Sequence, residues 1–130
     1  MTHHPVEQRV DIIRNAMVGL VRRDGPDLTA RQLAVFLTTY LQDEAQTVRG
    51  LAAKLNVHKP VISRALDRLS EFDLVRRKKD TLDRRSVLVR RTTAGKGFLR
   101  DLRKIVADVP DMTGRAPGSA PHDSELVETD

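Results

Sequence analysis

The chain has 130 residues, of which 39% are hydrophobic, enough for one domain with a modest core. The absence of Cys excludes disulfides, thiolate metal sites and thiol redox sensing. The net charge of +5 is unevenly distributed, because residues 1–108 carry +9 and residues 109–130 carry −4, and this basic body favours a polyanionic partner. Neither a membrane-spanning apolar run nor a signal-peptide pattern is evident, so we expect a cytoplasmic protein.

Periodic apolar residues predict two helices in the first third of the chain. A stripe with spacings of 4, 3, 4 and 3 predicts a helix at about 5–23, and its members are Val6, Val10, Ile13, Met17 and Leu20. Such a narrow stripe is typical of a seam between packed helices. Thr29 and Gln32 have the spacing of a capping box and predict a second helix at about 29–43.

Two shorter helices and a tight turn follow. Thr47 is a plausible N-cap for a third helix that ends at Asn56, and Pro60 suits the first turn of a fourth. Two helices joined by the three residues 57–59 predict a helix-turn-helix. The second of these helices has a polar outer face suited to the major groove of DNA, although a helical hairpin in a bundle would also fit. The candidate DNA-binding residues on it are His58, Lys59, Pro60, Ser63, Arg64, Asp67 and Arg68.

A basic hairpin comes next. Residues 74–78 and 86–91 read as two strands joined by a polar loop, and residues 76–91 hold eight basic residues against two acidic ones. The alternative is a solvated charged hairpin, but a ribbon of one dominant sign repels itself unless a polyanion neutralises it. A ribbon after a helix-turn-helix is a wing, and its candidate DNA-binding residues are Arg77, Lys78, Lys79, Arg84 and Arg85.

A last helix begins after Thr92 or Thr93. Its apolar residues follow spacings of 3, 4 and 3, and they are Leu99, Leu102, Val106 and Val109. Residues 110–130 are rich in Pro and Gly and acidic in net charge, so we expect a disordered acidic tail. The predicted organisation is a winged helix-turn-helix domain over 1–109 followed by that tail, in a mainly α fold with a small β-hairpin wing.

Over about 28–107 the chain resembles the multiple-antibiotic-resistance regulator (MarR) family. The resemblance runs through Leu51 to Val57 and Pro60 to Leu69 of the helix-turn-helix and through Leu74 to Arg77 of the first strand. Its most specific part is the wing motif Asp83-Arg84-Arg85-Ser86 followed by Thr92-Thr93-Ala94-Gly95.

The resemblance implies a homodimeric transcription regulator, expected to be a repressor, that binds a pseudo-palindromic operator in double-stranded DNA. By motif match, Arg85 would enter the minor groove, Asp83 would hold the wing turn, and Ser63 and Arg64 would contact the operator. The first and last helices would intertwine in the dimer, although each stripe could instead face its own core. The implied dimerisation residues are Val6, Val10, Ile13, Met17, Leu20, Leu99, Leu102 and Val106.

Three positions depart from the family pattern. Asn56 and Asp73 stand where the family usually has Gly, and both residue types tolerate the left-handed backbone conformation. Arg91 replaces an apolar residue, which predicts either a looser junction between wing and last helix or an added phosphate contact. The last helix is also shorter than in many members, which leaves open whether an effector ligand binds.

Other functional classes have little support in the sequence. Three of the four histidines lie near the ends of the chain and no glycine-rich phosphate loop follows a strand, so we expect neither an enzyme nor a cofactor or metal site. Gly95 and Gly97 are expected to permit close packing. The main rival hypothesis is a winged-helix adaptor whose basic wing docks on an acidic protein.

Overall fold

The computed structural model describes residues 5–107, and the predicted acidic tail lies outside them. Five helices and three short strands fill this range, which divides into two compact units. One unit comprises residues 25–100, and the described part of the other comprises residues 5–24 and 101–107.

Helix α1, Pro5–Arg22, and the end of helix α5, Thr93–Ala107, form the smaller unit. Gly19 brings the two close together, since a Cβ atom at this position would overlap the Ile105 side chain. An ion pair of 3.1 Å joins Arg23 to Asp101. Much of α1 remains uncovered: its exposed large apolar residues are Val6, Val10, Ile12, Ile13, Met17 and Val21.

The larger unit is built around helices α2, Ala30–Leu41, and α4, Lys59–Glu71, with the short helix α3, Val48–Leu55, between them in the chain. Phe36 stacks on Tyr40 at 4.4 Å between ring centroids and meets the Phe98 ring edge-on at 5.1 Å. The largest fully buried side chains are Phe36, Leu51, Ile62, Leu66, Leu69, Val35 and Val75. This apolar core fixes the orientation of α4.

Helix ends follow the signals in the sequence. Thr29 and Gln32 form the predicted capping box at α2, and the Thr47 hydroxyl accepts a hydrogen bond from the Gly50 amide at the start of α3. Asn56 and Asp73 both adopt the left-handed conformation, with φ of 56° and 58°. The expectation that these two residues replace Gly without threatening the fold is therefore confirmed.

The sheet has one strand more than predicted. Strands β2, Val75–Lys79, and β3, Val87–Arg91, form the antiparallel wing hairpin. Strand β1, Gln46–Thr47, pairs with the other edge of β3, so the strand order is β1-β3-β2. Near β1, the pKa of the Glu44 carboxyl is lowered, first by a hydrogen bond from the backbone of Glu44 itself and then by one from the Lys54 side chain.

Predicted element boundaries were shifted in two places. The turn of the helix-turn-helix comprises residues 56–58, one residue earlier than expected, because His58 is the N-cap of α4 and Lys59 is already helical. Both wing strands begin one residue later than predicted, which leaves residues 80–86 as the loop. The mainly α fold with a β-hairpin wing is confirmed.

Candidate nucleic-acid interface

The outer face of α4 carries the polar side chains that the sequence singled out. His58, Lys59 and Pro60 are exposed at its N-terminus, followed by exposed Arg64 and half-buried Ser63. The opposite face packs into the core through Ile62, Ala65, Leu66 and Leu69. This division leaves the N-terminal half of α4 free to enter a groove as wide as the major groove of DNA.

The wing loop is shaped by its two aspartates. One Asp83 carboxylate oxygen accepts a hydrogen bond of 3.1 Å from the Arg85 amide, and the Asp83 carbonyl accepts one of 2.9 Å from the Ser86 amide. The Asp80 carboxylate accepts from the Leu82 amide at 3.0 Å. These bonds close two successive side-chain-to-backbone turns, which tie the position of Arg85 to that of Asp83.

Several charged residues of the predicted interface are paired within the chain. Asp67 on α4 forms a close ion pair with Arg77 on β2, which links the helix to the wing. Arg68 pairs with Glu71 at 3.0 Å, and its guanidinium lies 4.7 Å from the centre of the Phe72 ring. These pairs reduce the positive charge that the flank of α4 offers to a ligand.

Other cations of the interface have no such partner. Within residues 5–107, no ion pair engages the exposed basic residues Lys59, Arg64, Lys78, Lys79, Arg84 and Arg85. They belong to the N-terminal half of α4 and to the wing. A polyanion placed against these two elements would meet unpaired positive charge on both.

A pocket joins the helix-turn-helix to the wing and includes a residue that the sequence analysis missed. It is lined by Val48, Arg49, Lys59, Ser63, Arg77, Arg85, Ser86 and Val87. Arg49, exposed in the first turn of α3, was not predicted to belong to the site. The available signal was its position two residues after the N-cap Thr47, where a cation opposes the helix dipole.

Arg91 anchors the base of the wing, which neither sequence-based alternative anticipated. Its guanidinium donates hydrogen bonds to the carbonyl oxygens of Thr39, at 3.0 Å, and Gln42, at 2.6 Å. The C-terminal carbonyls of α2 lack helical partners, so a cation is favourable there. Arg91 therefore fastens β3 to α2, and the junction is not loosened.

Tyr40 completes the same junction from inside the core. Its hydroxyl donates to the Leu74 carbonyl at 2.6 Å and accepts from the Thr92 amide at 2.9 Å. Thr92 in turn donates through its hydroxyl to the Asp73 carbonyl at 2.6 Å and accepts from the Gly95 amide. The wing thus starts and ends on buried hydrogen bonds, so its base is held rigidly.

The predicted dimerisation residues fall into two groups. Val6, Val10, Ile13 and Met17 on α1 and Val106 on α5 are exposed apolar residues. Leu20 is half-buried, whereas Leu99 and Leu102 are buried within the chain itself. The stripe on α5 therefore faces its own core at these two positions, which was the alternative left open by the sequence.

A MarR family model matches residues 28–87, which contain the helix-turn-helix, the Asp83-Arg84-Arg85 motif and the first residue of β3. The matched segment covers just under half of the 130-residue chain. No curated protein matches the chain in sequence.

Solved MarR-like structures share the fold. A structure of MarR itself has 24% identity and a TM-score of 0.63, over 97% of this chain and 91% of that chain. A Staphylococcus aureus MepR–DNA complex has 18% identity and a TM-score of 0.61, over 96% and 90%. Overoxidized AbfR bound to DNA has 17% identity and a TM-score of 0.61, over 95% and 85%. At these identities the likeness shows a MarR-like fold.

Within residues 5–107, no group of three or more His, Asp or Glu side chains is arranged to hold a metal ion. No helix in this range is long and apolar enough to span a membrane.

Proposed function

We propose that this chain is a cytoplasmic transcription regulator, acting as a repressor, which binds a pseudo-palindromic DNA operator as a homodimer. The observation that carries the proposal is the juxtaposition of α4 and the wing: Lys59, Ser63 and Arg85 line one pocket. A duplex lying along the outer face of α4 would therefore meet the wing as well. The MarR family match and the two similar structures described as bound to DNA support the same assignment.

Helix α4 is the recognition helix in this proposal. Its exposed N-terminal half has the dimensions and the polar side chains for the major groove, and Arg64 and Ser63 lie on the side that would approach base edges. His58, Lys59 and Pro60 would lie at the entry of the helix into the groove. Asp67 and Arg68, which are engaged in ion pairs, position neighbouring side chains and do not read bases.

The wing supplies contacts to the flanking DNA. Arg84 and Arg85 follow the Asp83 turn and reach the adjacent minor groove, where the negative potential attracts arginine. Lys78 and Lys79 are exposed near the loop and contact phosphates. Arg77, tied to Asp67, holds the wing at a fixed angle to the recognition helix.

The homodimer forms through α1. Val6, Val10, Ile13 and Met17 would remain exposed to water in a single chain, at a cost of roughly 25 cal/mol per Å² of apolar surface. A second copy of the chain is the partner that the MarR resemblance implies. Val106 would add to this face from α5, whereas Leu99 and Leu102 would support it from within the protomer.

Selection of bound fragments from genomic DNA, followed by affinity titration against salt, tests this function. We expect an enriched sequence with two inverted half-sites and an affinity that falls steeply with salt, because counterions are released from the phosphates. An adaptor that docks on an acidic protein would enrich no sequence. That result would reject the proposed function.

A further inference from the structure

The pocket between the helix-turn-helix and the wing, hereafter the α3–α4–wing pocket, has a volume of about 110 Å³. A buried water molecule needs about 10–15 Å³ of such space. The pocket therefore has room for a group of several heavy atoms. Its apolar wall consists of Val48 and Val87, and its polar side groups come from α3, α4 and the wing.

The charge of this pocket has one sign. Four of its eight lining residues are basic and none is acidic, and the basic ones are Arg49, Lys59, Arg77 and Arg85. Asp67 offsets Arg77 from outside the pocket, whereas no ion pair within residues 5–107 engages the other three. Converging cations repel one another unless an anion lies between them.

The two helix N-termini at the pocket reinforce this charge. Arg49 is the second residue of α3 and Lys59 the first of α4, and neither helix has an acidic residue in its first turn. The positive end of a helix dipole favours Asp or Glu there and disfavours a cation. His58 also makes no side-chain cap hydrogen bond. Since Pro60 has no N–H and the Val61 amide donates to the His58 carbonyl, the Lys59 amide is the one left for a ligand in this first turn. An anion in the pocket would offset both unfavourable features.

We propose that the α3–α4–wing pocket binds a phosphate group, and that in the DNA complex this group is one backbone phosphate held by Arg49. The inference rests on the proposed DNA-binding function and adds a residue and a site to it. Since Arg49 belongs to α3 and Ser86 to the wing loop, a phosphate between them would clamp both elements against α4. This contact fixes how deeply the recognition helix enters the groove and carries no sequence information itself.

Arg49→Gln tests the clamp, with Lys96→Gln as the matched control. Lys96 is an exposed cation on α5 outside the pocket, so its replacement removes the same charge. We expect Arg49→Gln to lower the slope of log affinity against log salt by about 1.8, because the dimer loses one phosphate contact, worth about 0.9, in each half-site. The loss should be equal on operator and scrambled duplexes, and Lys96→Gln should retain the wild-type slope. Arg49→Lys should restore most of the slope.

Ethylation interference on the selected operator locates the phosphate. In each half-site, one phosphate should weaken wild-type binding when ethylated and have no effect on Arg49→Gln. Calorimetric titration of inorganic phosphate into the DNA-free protein distinguishes a site for a free anion from a site for a phosphate of the DNA backbone. Saturable phosphate binding that Arg49→Gln abolishes, together with an unchanged DNA salt slope, would overturn the assignment to the DNA backbone.

The failures of the two proposals are distinguishable. If the wild-type protein binds the operator specifically and Arg49→Gln keeps the wild-type salt slope, the proposed phosphate contact of Arg49 is wrong and the proposed function as a DNA-binding regulator is unaffected. If the wild-type protein has no preference for any duplex, the proposed function itself is wrong. Melting curves of Arg49→Gln should match those of the wild type, because Arg49 is exposed and its side chain is outside the core.

Discussion

Asp83 organises the wing turn through hydrogen bonds to the Arg85 and Ser86 amides, the first accepted by its carboxylate and the second by its carbonyl. We predict that Asp83→Ala weakens DNA binding although it removes a negative charge, because the arginine loop loses its support. Asp83→Asn is the control, since an amide oxygen can still accept the Arg85 hydrogen bond. It should bind DNA at least as tightly as the wild type in an anisotropy titration. Tighter binding by Asp83→Ala would show that charge, and not the turn, governs this position.

Single residues were predictable where the cause is local. Asn56 and Asp73 could be assigned to left-handed positions because short polar side chains tolerate that conformation. Arg91 could not be assigned, since its partners Thr39 and Gln42 lie 52 and 49 positions away along the chain. Arg49 was missed because an isolated arginine after an N-cap does not by itself indicate a binding site. It becomes part of a basic pocket only when folding brings Lys59 and Arg85 to the same place.

At the scale of elements, the start of α5 depends on close packing against α2. A Cβ atom at Gly95 would overlap the Tyr40 hydroxyl and the Leu74 carbonyl, whereas one at Gly97 would meet only the Arg100 side chain, at 3.6 Å. The expectation of close packing is thus supported at Gly95 and not at Gly97.

We predict opposite effects on stability from alanine at these two glycines. Gly95→Ala should lower the free energy of unfolding by about 1–3 kcal/mol, because a backbone carbonyl and a buried hydroxyl cannot both move away. Gly97→Ala should raise it by up to about 1 kcal/mol through helix propensity. Urea denaturation measures both, and a destabilised Gly97→Ala with an unaffected Gly95→Ala would contradict the packing described here.

The helices and the wing hairpin were predictable from periodicity and caps, because both signals lie within a few residues of each other. Strand β1 was not, since its two residues gain their structure from pairing with Leu88 and Val89, more than 40 positions away. Pairing between distant segments leaves no local pattern.

At the scale of the whole molecule, the exposed apolar face of α1 predicts self-association. Met17 lies on this face and is 40% exposed, so Met17→Glu should not disrupt the core of a single chain. We predict that the wild type sediments as a dimer at micromolar concentration and that Met17→Glu is shifted to monomer. The control Met17→Leu preserves the apolar surface and should remain dimeric. A monomeric wild type, or a dimer that tolerates Met17→Glu, would contradict the assigned dimer face.

In the proposed regulator, the recognition helix reads sequence while the wing and the pocket supply general affinity. The most direct test compares the affinity ratio between selected operator and scrambled duplex in the wild type, Arg64→Ala and Lys79→Ala. If Arg64 makes a bidentate contact to a base, Arg64→Ala should reduce this discrimination by about 1–3 kcal/mol. Lys79→Ala should weaken binding to both duplexes equally, as expected for a lost phosphate contact. An unchanged ratio in Arg64→Ala would contradict base reading by Arg64, and equal affinity of the wild-type protein for the two duplexes would contradict the account as a whole.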